Sequence, residues 1–189
     1  MKNKYILLRH GQTEYQATGS KILYPREDNP TLPITKYGEE QIEKVAKELS
    51  FLEVDYVYCS TYHRTRQTAE IVNRKLNKEI VFDERLIDTD FGIFSGKEDI
   101  EYVNYFENEL EKFMKRTPEG ENWNDLKRRT GDVIDEIEKK YENKTILIIS
   151  HADPLWIIAG YLKGYSDEKM LEERNPDGIW PDVGQYIII

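Results

Sequence analysis

The chain is poor in the residues that would mark it as secreted, metal-binding or membrane-spanning. A single cysteine, Cys59, among 189 residues rules out an internal disulfide framework. The histidines His10, His63 and His151 do not have the spacing of metal ligands, so no metal and no cofactor are expected. No apolar run approaches the roughly 18 residues of a membrane span. The apolar stretch at residues 6–8 is too short for a signal peptide and is ended by Arg9. A basic excess is also missing. Lys and Arg number 27 against 36 Asp and Glu, a net charge of −9. That argues against a nucleic-acid or anionic-membrane partner and leaves room for a local basic pocket. The expectation is a cytoplasmic protein acting on a small molecule. No repeat, low-complexity tract or linker divides the chain, so residues 1–189 are read as one domain.

What is present suits a packed core under a charged surface: 39% hydrophobic and 33% charged residues. Residues 5–8, 56–59, 79–82, 145–149 and 186–189 are short and apolar, and are predicted as strands. Helical periodicity fills the intervals. It runs over 36–49, 63–76, 100–113 and 123–141, with a fifth helix from near Pro154 to Gly164. This alternation predicts an α/β fold with a mainly parallel sheet. Residues 16–33 and 83–97 lack periodicity, and loops of that length are more often functional than passive.

The chemistry sits where predicted strands end. The first runs into Arg9-His10-Gly11, the second into Cys59-Ser60 with Arg64 soon after, and the fourth into Ser150-His151. Open α/β sheets bind ligands at the carboxyl ends of their strands. A guanidinium matches phosphate geometry, and a neutral imidazole nitrogen serves as nucleophile or proton carrier. A helix opening near Pro154 would add its N-terminal amides. The constellation points to chemistry on a phosphate.

Several motifs then occur in one order: Arg9-His10-Gly11-Gln12-Thr13, Leu32 to Gln41, Ser60 to Ala69, Phe91 to Lys97, Glu119-Gly120-Glu121 and Ser150-His151. In these the chain resembles the histidine phosphatase superfamily, the phosphoglycerate mutase-like fold, over nearly its whole length. The resemblance implies a three-layer α/β/α architecture and a metal-independent phosphomonoester hydrolase. His10 would be the nucleophile, with a phosphohistidine intermediate. Arg9, Arg64 and His151 would hold the phosphoryl oxygens, with contacts from Thr13 and Gln16. Residues 98–115 would form a helical cap, in which Tyr102, Tyr105 and Phe106 shape the pocket. Glu121 is read either as an orienting residue or as an ordinary acid at a helix start.

A carboxylic acid must protonate the departing oxygen and later activate water. The family usually places glutamate where this chain has Asp88, one methylene shorter. Asp153 is the next candidate and Asp90 the third, with Glu84 a further substitute. Asp153 precedes Pro154, a pattern that fits a helix N-cap better than an acid, so capping is its expected role. Two other readings carry different chemistry. A mutase would return the phosphoryl group to the substrate. A binding protein would hold phosphate without turnover.

Overall fold

The computed structural model describes residues 1–174 and 179–189. Five strands form one sheet in the order β3-β2-β4-β1-β5. They are β1 (Lys4–Arg9), β2 (Tyr56–Cys59), β3 (Ile80–Phe82), β4 (Thr145–Ser150) and β5 (Tyr186–Ile188). The first four run parallel, and β5 closes the far edge antiparallel to β1.

The central strands are apolar on both faces because helices cover both. Tyr5 and Leu7 of β1 join Ile146 and Ile148 of β4 in one core. That core packs on α6 (Trp123–Lys140) and α7 (Ala152–Lys163) through Leu126, Val133, Ile134, Ile137 and Ile158. The alternate residues, Ile6, Leu8, Leu147 and Ile149, face α2 (Lys36–Leu49) and α3 (His63–Leu76) through Ile42, Ala46, Leu49, Ala69 and Val72. The result is the expected α/β/α sandwich. The shorter helices are α1 (Glu14–Ala17), α4 (Asp99–Asn104), α5 (Glu111–Met114) and α8 (Asp167–Glu172). Among the described residues no helix is long and apolar enough to cross a membrane.

The helix expected over 100–113 is instead α4 and α5 with bends between them. Polar side chains there capture the main chain: Glu107 N donates to Glu111 Oε2 and Glu111 N to Asn108 Oδ1. Such local bonds compete with helical ones and override the apolar spacing. The two irregular segments hold each other. Leu23 N donates to Lys97 O and Asp99 N to Lys21 O, so the loop after α1 is laced to the start of α4. This places a wall at the carboxyl edge of the sheet.

Candidate active site

The register of the two central strands builds the site. Arg9 pairs with Ser150, and His10 N donates to Ser150 O at 3.1 Å. Each strand then delivers a histidine at the same level, with ring centroids 5.4 Å apart. Both rings are buried. The loop after β1 lies against the first turn of α2, because Gly11 and Gly38 let two backbones meet. A Cβ at Gly38 would sit 2.5 Å from Gln12 O, and one at Gly11 would sit 2.8 Å from Gly38 O.

His10 Nδ1 is 2.8 Å from Gly11 O. A carbonyl only accepts, so Nδ1 carries the proton and Nε2 keeps its lone pair. Burial, then Arg64 and Arg9, hold the ring's pKa well below the ordinary histidine value, so it stays neutral. His151 is held neutral the same way, by burial first and Arg64 next. Its Nε2 lies 2.8 Å from Ser60 Oγ, while its buried Nδ1 has no partner. With the Ser60 hydroxyl donating to Nε2, the free Nδ1–H is a donor.

Arg64 is completely buried. Nη1 donates to Asn29 O at 2.7 Å and Nη2 to Asp88 Oδ2 at 3.0 Å, while Nε is unpartnered. Its guanidinium lies 4.6 Å from the Tyr24 ring centre and 5.2 Å from that of Tyr62. Arg9 Nε is likewise buried and unpartnered, and burial lowers the pKa of that guanidinium. Unmet buried donors are costly, and three at one site call for an anionic acceptor.

Of the three candidate acids, Asp88 reaches this cluster. Its Oδ2 is 3.8 Å from His151 Nδ1. Burial raises its pKa above the ordinary aspartate value although Arg64 opposes the shift. Asp90 turns outward to Arg26 at 3.0 Å and accepts from Gly92 N. Asp153 is not the N-cap it was expected to be. The cap position is His151, and Asp153 lies inside the first turn of α7. Its Oδ2 accepts from Thr89 Oγ1 at 3.2 Å and Trp123 Nε1 at 3.4 Å, tying helix to acid loop. Glu121 is not a helix-start acid either, since Asn122 and Asp125 form the capping box of α6.

Thr13 and Gln16 occupy a different arrangement from a simple phosphate cradle. Gln16 Oε1 accepts from Thr13 N and Oγ1, and Gln16 Nε2 donates to Tyr24 Oη at 2.6 Å. Tyr24 Oη is also 3.2 Å from Thr13 Oγ1. The three side chains form a closed ring that leaves Gln16 one free N–H. Tyr102, Tyr105 and Phe106 do not line the pocket. They pack on Phe94 and Phe91 beside it, because the break after α4 folds them onto one another. The pocket wall is made by Tyr15, Ile22, Leu23, Tyr24, Phe91 and Asp99. His63 is exposed, and Arg66 lies over the Phe82 ring at 4.0 Å, away from the cluster.

Ser60, Tyr24 and Arg129 were not anticipated. Ser60 directly follows β2, so the strand-end rule reaches it. Tyr24 lies in an aperiodic loop and Arg129 on the polar side of a long helix, where nothing local distinguishes them. Among the described residues no three His, Cys, Asp or Glu side chains are grouped as metal ligands.

The sequence pattern of the histidine phosphatase superfamily (branch 1) matches residues 5–177. The chain belongs to that superfamily. Among its relatives is phosphoserine phosphatase 1 of Hydrogenobacter thermophilus, 27% identical over 157 residues, covering 80% of this chain and 72% of the relative. A 2,3-bisphosphoglycerate-dependent phosphoglycerate mutase of Thermoplasma acidophilum is 28% identical over 165 residues, covering 87% and 78%. The alpha-ribazole phosphatase of Shigella flexneri shares the fold, with a TM-score of 0.78 at 23% identity, covering 98% of this chain and 89% of that one. The superfamily thus includes both phosphatases and a mutase.

Proposed function

We propose that this histidine phosphatase superfamily member hydrolyses phosphomonoesters through a phosphohistidine on His10, as a single domain with residues 98–115 flanking the pocket. The observation that carries the reading is the His10 Nδ1 bond to Gly11 O, which leaves Nε2 unprotonated beside buried cations. Nε2 attacks phosphorus, and the P–O ester bond breaks with its electron pair going to the leaving oxygen. Asp88, in its protonated form, gives that oxygen its proton. Arg9, Arg64 and the His151 Nδ1–H receive the phosphoryl oxygens, with a further contact from the free N–H of Gln16. Arg64 exchanges the Asp88 carboxylate for the phosphoryl group as the substrate enters. In the second step water attacks the phosphohistidine and passes a proton to the Asp88 carboxylate. The P–N bond breaks and its pair returns to Nε2. The positive charge is supplied by the protein's own arginines.

The pocket wall favours hydrolysis over a mutase. Beyond Arg9 it offers Lys21 as a cation, against Asp99 and Asp153, with Ile22, Leu23 and Phe91 between. A mutase must hold a second phosphate there, and two carboxylates repel it. A monophosphate with a small, uncharged or partly apolar alcohol fits. The relatives named as phosphatases of small phosphorylated compounds support the same reading.

Rapid quench with a labelled aryl phosphate is expected to trap an acid-labile, base-stable phosphoenzyme in the wild type and none in His10→Ala, whose turnover is lost. A His10→Ala variant that still turns over sinks the proposal. Product analysis with a phosphoglycerate separates the alternatives: free phosphate supports hydrolysis, a positional isomer the mutase.

A further inference from the structure

Three backbone carbonyls of the segment that carries Asp88 converge on one side chain. Arg129 on α6 is largely buried, and a guanidinium has five N–H donors. All are used. Nη1 donates to Arg85 O at 2.6 Å and Ile87 O at 2.9 Å. Nη2 donates to Asp88 O at 2.9 Å and Glu121 Oε1 at 2.7 Å, and Nε donates to Glu121 Oε2 at 3.0 Å. Glu121 continues the clamp past the acid. Its Oε1 accepts from Asp90 N, and its own N donates to Asp90 O, each at 3.0 Å. The backbone before, at and after Asp88 is thereby bound to one fork and the carboxylate that orients it.

Resting on the reading of Asp88 as proton donor, we propose that Arg129, oriented by Glu121, is the positioning residue of the reaction and sets the reach of Asp88 toward the leaving oxygen. Aspartate has a short side chain, so the place of its carboxylate follows the place of its backbone. Asp88 has no spare methylene with which to absorb a displaced loop. Arg129 also cannot be replaced by lysine. Three donors on one atom cannot meet three carbonyls and two carboxylate oxygens spread over a plane. Apart from Asp88, the pair hydrogen-bonds no residue that lines the pocket and does not bond His10, and Arg129 reaches His151 only as one of several charges around it, so its direct grip is on the acid loop.

The test compares kcat/KM for an alkyl phosphate and for 4-nitrophenyl phosphate, because only the alkyl leaving group needs the proton. kcat/KM reports the phosphoryl-transfer step even where hydrolysis of the phosphoenzyme limits kcat. Arg129→Met is expected to lower the alkyl value about 100-fold, within the range of general acid catalysis, and the aryl value less than about fivefold. Inhibition by inorganic phosphate should be unchanged. In Asp88→Asn the same change should have almost no further effect on the alkyl ester, since both act through one proton. Equal losses on both esters in a variant with wild-type Tm would overturn the inference, as would losses that multiply in the double variant. Should Arg129→Met unfold, Glu121→Gln takes its place with the same two outcomes and a smaller alkyl loss. An alkyl rate untouched by Asp88→Asn overturns the inference and leaves the hydrolase reading standing. A wild type that forms no phosphoenzyme and cleaves neither ester removes both.

Discussion

Two neutral histidines and one carboxyl of raised pKa are what a metal-free phosphoryl transfer asks of its residues. The pH profile follows from the shifts. His10 is depressed, so its lone pair survives below the ordinary value, and activity is lost on the acid side only well under about pH 6.5. Asp88 is raised, so its proton persists above the ordinary aspartate value and is lost as pH climbs through the raised one. kcat/KM for an alkyl ester is therefore expected to fall with rising pH while that for an aryl ester stays level. Asp88→Asn should lower the alkyl value about 100-fold or more. Parallel profiles for the two esters would remove Asp88 from the role of acid. The residues legible in the sequence are those next to a strand end: Arg9, His10, Arg64 and His151. Asp88 came from motif resemblance, because a carboxylate in an aperiodic loop has no pattern of its own. Arg129 was illegible, since its four partner residues lie 8 to 44 residues away along the chain.

At the scale of elements, periodicity located every strand and the long helices. It failed between α4 and α5, where Asn108 and Glu111 bind backbone amides. It also could not show which helix end meets which loop. The contact of α2 with the turn after β1 is the sharpest case. Gly38 is helical and unstrained, yet a methyl there would collide with Gln12 O and push the His10 turn away from β4. Gly38→Ala is expected to cost about 1–3 kcal/mol as overpacking. It should also lower kcat/KM for alkyl and aryl esters alike, because it moves His10 rather than Asp88. Denaturant melts paired with both assays check this, and a variant as stable and active as the wild type would refute the contact.

For the molecule as a whole, the site taxes stability in acid. His10 and His151 have folded pKa values below their unfolded ones. Their contribution is present above the unfolded value near 6.5 and is lost as pH falls from there toward the folded values. Asp88 has the opposite sign: its contribution is present below the unfolded value near 3.9 and is lost as pH rises through its folded pKa. Two groups outweigh one, so Tm is expected to drop between about pH 7 and about pH 5. The slope should flatten in His151→Gln. An unchanged slope would place the acid sensitivity elsewhere. The pairing of residues 4–9 with 145–150 has a further consequence. His10 is made before its neighbours on β4, which lie more than 100 residues further along the chain. A nascent or truncated chain therefore exposes an arginine-histidine pair that has nothing to hold a phosphate against. The site is assembled only where β1 and β4 are both present, so a fragment that ends before β4 holds His10 without the neighbours that position it.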